Sequence, residues 1–284
     1  MTRQPTGDYA RRLTGCPCSR GAPMRRGTTR AKVLVRYTRH EMKTYWFDFF
    51  SGGVPSLQYF LMQVQDLKKL AGTSEVGNGI DTTAELCVIG LAAYFEAFCK
   101  HEFAAVINIC PETLNAFTAR RECMVPARNL LHVISAPRYR LGLLIVEEYD
   151  FGSAKSVNGL FQDLLNITPF SKTEAKRYAE FLNDRNLFVH HGGSYTFKYA
   201  GKKFATRDIG ARVHFDSLVV NKSDVYRWSN FLAKMATKIG NATVAALLKF
   251  TASQGLKCSA ERKKAIRALG TIDPRAAASE MVKP

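Results

Sequence analysis

The sequence holds no CxxC pair and no histidines and cysteines at zinc-site spacing, and its cysteines number seven in 284 residues. An odd count argues against a closed disulfide framework and for a reducing compartment, so the expected location is the cytoplasm. Three Asn-x-Ser/Thr sequons, at Asn166, Asn221 and Asn241, carry little weight in that setting. No run of about 18 apolar residues occurs, and no membrane span is expected. GxxxxGK(S/T), GxGxxG, GxSxG and HExxH are all missing, which leaves phosphate-loop, dinucleotide, α/β-hydrolase and zinc-protease chemistry without a motif. No cofactor and no metal is expected. Repeats with a period of about 20–50 residues are missing too.

Acidic residues are scarce: 24 Asp and Glu face 41 Lys and Arg, a formal net charge of +17. The imbalance gathers at the ends. Residues 1–43 hold eleven Lys or Arg, nine of them Arg, against Asp8 and Glu41; residues 257–284 hold seven against three. The first segment is rich in Gly, Thr and Pro with almost no apolar periodicity, the composition of a disordered arm. Three uses stay open for it. Arginine-rich arms bind phosphate backbones without reading sequence, an acid-poor start can be an organelle transit peptide, and Met42 can be the native beginning.

Hydrophobic content of 46% is ample for a packed core, and residues 44–250 read as one helical domain. An aromatic cluster, Tyr45 to Phe50, precedes Gly52 and Gly53. Residues 56–71 are amphipathic through Leu57, Phe60, Leu61, Val64 and Leu67. Asp81 is placed to cap a long helix with Glu85 in its first turn. Val88, Leu91, Phe95, Phe98 and Val106 form its apolar stripe, Glu102 is the polar exception, and Pro111 ends it. Shorter helices are predicted over 111–120, 126–134, 141–148 and 156–165. A final one begins at Ser223 or Asp224 and continues to Leu248, with a kink allowed at Gly240. Residues 195–200 and 213–220 have the aromatic and β-branched content of strands. The expected fold is therefore all-α: an up-and-down helical bundle with a small β-hairpin insertion near 195–220 and disordered basic termini, 1–43 and 251–284.

The stretch 171–193 stands apart. Ser171 and Glu174 make a capping box, and Gly192 and Gly193 supply the left-handed stop. Ala175, Tyr178, Ala179, Leu182 and Val189 recur at three- and four-residue steps, which predicts one buried face. On a wheel of about 100° per residue, Arg185 and Asn186 fall inside that stripe and His190 at its edge. His191 points with Arg177, Glu180 and Asp184 toward solvent. An unpaired guanidinium is costly to bury, so Arg185 calls for a carboxylate, a subunit interface or an anionic ligand. Glu96, beside the stripe of the long helix, is one candidate partner. The plainer readings are a surface histidine near a helix end and an arginine paired with a core acid.

Arg185-Asn186, three residues, then His190 resembles the signature of the HEPN superfamily: Arg, a polar residue often Asn, then His after four to six residues. His191 fits the same loose spacing. The signature closes a helix preceded by Phe161-Gln162-Asp163-Leu164-Leu165 and followed by the glycine pair, as in HEPN sequences of the RiboL-PSP-HEPN type. Leu91 to Phe103 is similar to that family's long first helix. The resemblance covers roughly 81–248. A second Arg-Asn-x-x-His run at Arg128–His132 is one residue short of the spacing and reads as structural.

The resemblance implies a homodimer with the Arg185–His190 helices facing each other across one cleft. It also implies metal-independent cleavage of RNA by its own 2′-hydroxyl, leaving a 2′,3′-cyclic phosphate and a 5′-hydroxyl. Arg185 would stabilise the phosphate, His190 would move protons and Asn186 would orient, with His191 and Glu96 as secondary candidates. A toxin or antiviral defence role, with an antitoxin or defence-system partner, enters only through the family. The alternative is a non-catalytic HEPN-type module that binds RNA or another protein.

Overall fold

Residues 44–73, 81–125, 141–206 and 209–270 are described by the structure, a computed structural model. They form an all-α bundle. After two short 3-10 turns, Trp46–Phe49 and Ser51–Gly53, come α1 (Ser56–Gly72), α2 (Thr82–Ile109), α3 (Thr113–Arg120), α4 (Leu141–Val146), α5 (Ala154–Leu165) and α6 (Lys172–His191). Then follow α7 (Phe197–Lys203), α8 (Ile209–Phe215), α9 (Lys222–Ser253) and α10 (Ala260–Ala268). The basic arm, the 126–134 helix and the Arg128–His132 run lie outside the described residues.

The spine is α2. The Asp81 carboxylate accepts from the Ala84 amide at 2.8 Å, satisfying one of the orphan donors at the helix start. Val88, Leu91, Phe95, Phe98 and Val106 are all buried, as the stripe predicts. By length and mean hydropathy α2 is the one helix among the described residues apolar enough to cross a membrane, although polar residues interrupt it. Its apolar surface is instead covered by α1, α4, α6 and α9.

Two aromatic clusters join the helices. Phe60 of α1 meets Phe95 and Phe98 of α2 at 5.7 and 5.5 Å. Phe95 meets Tyr178 of α6 at 5.3 Å, and Phe181 meets Trp228 of α9 at 5.1 Å. The other cluster sets Phe103 of α2 edge-on to Phe117, Phe151 and Phe161, tying in α3 and α5. Such ring pairs add about 0.5–1.5 kcal/mol each beyond their buried area.

Close backbone approach is taken up by glycine. A Cβ on Gly142 would overlap the Ala104 carbonyl, so the first turn of α4 lies directly on α2. The Gly142 amide donates to Asn108 Oδ1 at 2.8 Å in that contact. Gly142→Ala should therefore cost about 1–3 kcal/mol, the usual penalty of overpacking, read as a lower urea midpoint at unchanged slope. Gly240 serves the same purpose, since a Cβ there would strike the Leu269 carbonyl; α9 runs through it unbroken.

Two expectations are corrected. The 195–220 hairpin is not formed: Thr196 caps α7 through the Tyr199 amide, and α8 follows. The extended pairing found among the described residues is one bridge, Ser194 to Ser217, closing the base of this excursion. The physical reason lies in Tyr199 and Lys203, which both donate to one oxygen of Asp184, at 2.7 and 2.8 Å. Four residues advance about 6 Å along a helix but about 13 Å along a strand, so a helix brings them to a single acceptor. The second correction concerns 251–284, read as a basic tail. Part of it is α10, capped by Ser259, with Ala265, Ile266 and Leu269 fully buried. Arg262 pairs with Glu112, and Lys264 lies 4.7 Å over the Trp46 ring.

Candidate functional site

The start and stop of α6 follow the sequence pattern. Ser171 accepts from the Glu174 amide, the Glu174 carboxylate accepts from the Ser171 amide at 2.8 Å, and Gly192 takes φ 54° at the C-cap. Glu174 also receives Lys238 Nζ from α9 at 2.6 Å. Burial would raise the Glu174 carboxyl, but the Lys238 and Ser171 hydrogen bonds outweigh it and hold it down at about 2.

The orientation of α6 about its own axis differs from the predicted one. The residues in the core are Tyr178, Phe181, Asp184, Leu187 and Phe188, whereas Ala179 is exposed and Val189 is 46% exposed. The buried face is thus turned by roughly 100°, one residue step. Aromatic rings bury far more area than alanine or valine, so Phe181 and Phe188 decide which side faces inward.

This rotation re-sorts every candidate. Arg185 is half-buried at the edge of the core face, and Asn186, His190 and His191 are exposed. Arg185 Nη1 donates to Asn186 Oδ1 at 2.9 Å. His190 and His191 occupy the last turn of α6 with ring centroids 6.4 Å apart, where the helix dipole favours positive charge. Arg185 and Asn186 are therefore joined to each other at the edge of the core face, and Val189 and His190 are exposed one turn further on, rather than inside the bundle. Glu96 is half-buried but its ion pair is with Lys100, at 2.9 Å. The Tyr178 hydroxyl of the same helix is buried and without a hydrogen-bond partner among the described residues. Burial foremost, then Cys99 and Glu96, push that phenol far up, with Arg185 opposing.

The buried polar residue of α6 is Asp184, expected on the solvated side. It is 5% exposed and held by Tyr199 and Lys203. Burial, followed by the bond to Asp184, raises the Tyr199 phenol.

Next to Asp184 opens a pocket of about 480 Å³ lined by Thr173, Lys176, Arg177, Glu180, Asp184, Lys203, Arg227 and Trp228. Sequence reading missed it because its walls come from α6, α7 and α9. The one local signal was the i, i+4 repeat of Lys176, Glu180 and Asp184 along a single face. Among the described residues no group of three or more His, Cys, Asp or Glu is placed to hold a metal ion. Compared with protein-family models, with curated proteins and with solved structures, the chain matches none.

Proposed function

We propose that the protein is an endoribonuclease of the HEPN type, acting as a homodimer through the outward face of α6. The observation that carries this reading is the Arg185–Asn186 hydrogen bond near the end of α6, with the exposed His190 one turn further along the same helix. An isologous contact between two copies would repeat that patch across a two-fold axis, and the exposed Val189 offers apolar area for it. Two guanidinium forks and two imidazoles would then surround one phosphodiester.

RNA carries its own nucleophile in the 2′-hydroxyl. The attacking 2′-oxygen forms a bond to phosphorus as the bond to the 5′-oxygen breaks. One imidazole takes the 2′ proton and another protonates the leaving oxygen. Arg185 meets the charge growing on the phosphoryl oxygens with two parallel N–H donors. The Arg185–Asn186 hydrogen bond holds the fork in plane beforehand.

The test is incubation of purified protein with single-stranded RNA in EDTA. Fragments ending in 2′,3′-cyclic phosphate are expected, with specific activity rising with protein concentration as the dimer fills. Salt-sensitive binding with intact RNA would replace this reading with that of a non-catalytic RNA-binding module.

A further inference from the structure

The pocket between α6, α7 and α9 is separate from the Arg185–His190 surface. Four cationic side chains line it against two carboxylates, Glu180 and Asp184. Two of the four are already neutralised: Lys203 by Asp184 at 2.8 Å, and Arg227 by Asp224 at 2.9 Å. Lys176 has no ion pair or hydrogen bond among the described residues. Arg177 is held differently. Its guanidinium lies 4.6 Å from the Phe231 centroid and 5.9 Å from that of Trp228. A cation–π contact of this kind holds the guanidinium near the rings without using its N–H donors, which stay available to a ligand.

From this geometry we infer that the pocket is a phosphate-binding site. Lys176 and Arg177 supply two cations against the one remaining carboxylate, Glu180, beside the Thr173 hydroxyl in the first turn of α6, where the helix dipole adds positive potential. Planar guanidinium donors match phosphoryl oxygens two at a time. The indole of Trp228 is flanked by Arg177 and by Arg227 at 5.0 Å and is 5% exposed, so it offers no free face for a nucleobase. Recognition is therefore of the phosphate and not of a base. The volume exceeds what a single phosphate fills, which suits linked phosphates, either those of a nucleic-acid backbone or those of a free phosphorylated metabolite.

The proposal is tested on the full chain by calorimetric titration with inorganic pyrophosphate and by anisotropy of a short labelled single-stranded RNA. Wild type should bind pyrophosphate, and Lys176→Glu and Arg177→Gln should each weaken it about tenfold or more. Lys198→Glu, an exposed charge on α7 outside the pocket, should leave it nearly unchanged. Lys176 is exposed and makes no ion pair or hydrogen bond among the described residues, so Lys176→Glu keeps the test valid if Arg177→Gln unfolds. Displacement of RNA by pyrophosphate supports a backbone phosphate as the ligand. Pyrophosphate binding undisturbed by RNA supports a free phosphorylated ligand. Absent pyrophosphate binding, or equal binding by wild type and Lys176→Glu, overturns the site. The readout is binding alone, so a protein inactive on RNA still gives an answer.

Discussion

His190→Ala should lower RNA cleavage about 10²-fold or more while the melting curve stays close to that of wild type. The imidazole is exposed in the last turn of α6 and lies outside the buried core, so its removal should leave the fold intact. Imidazole is the side chain whose ordinary titration spans neutral pH, which suits it to both proton transfers. Arg185→Ala should lose activity by a similar factor through the phosphate oxygens. Arg185→Lys should not restore it, because an ammonium is a point charge and cannot span two oxygens or keep the planar contact with Asn186. Full cleavage by a folded His190→Ala protein would remove the imidazole from the mechanism. Equal loss of activity and of melting temperature would mark a structural role instead.

Raising the pH from about 5 to 8 should destabilise the wild-type protein relative to Glu102→Gln, by about 1.4 kcal/mol per pH unit. Glu102 is fully buried in α2; the Ser56 hydroxyl donates to Oε2, and Oε1 has no partner among the described residues. Burial pushes this carboxyl from 4.5 to about 8, the Ser56 hydrogen bond opposing only in part. A group whose pKa is raised by folding stabilises fully below its unfolded value and loses that stability as pH climbs to the folded one. The window is therefore from 4.5 to about 8, and the cumulative loss is on the order of 4 kcal/mol. In a chain of this size each pH unit corresponds to about 3–5 °C in Tm. The neighbouring His101 is pulled down by burial and by Lys100, so it works in the opposite sense, and the wild-type-minus-variant difference isolates Glu102. Parallel melting profiles for the two proteins across that window would show that the carboxyl is ionised in the core.

These two residues illustrate how differently sequence speaks about position. Glu102 was legible as the polar exception in a long apolar stripe because α2 is regular, capped by Asp81 and stopped before Pro111. Its periodicity holds over enough turns that one stripe dominates. On α6 the same method located both ends and turned the helix the wrong way. The predicted stripe ran through Ala175, Ala179 and Val189 and left out the rings at 181 and 188, yet Phe181 lies against Trp228, some fifty positions later in the chain. No local window contains that contact.

What the residues by themselves determined is where helices begin and end. Caps, glycine stops and proline breaks act within a turn of their own position, through backbone donors and acceptors only a few residues apart. What only the tertiary structure decided is which way α6 faces, that 197–203 coils instead of extending, and that Lys176, Arg177, Lys203 and Arg227 share one pocket. Each of those outcomes is set by side chains arriving from distant segments: Trp228 and Phe231 against α6, Tyr199 and Lys203 onto Asp184. Burial of aromatic area and satisfaction of a buried carboxylate are energies of the assembled bundle, and a local pattern carries no record of them.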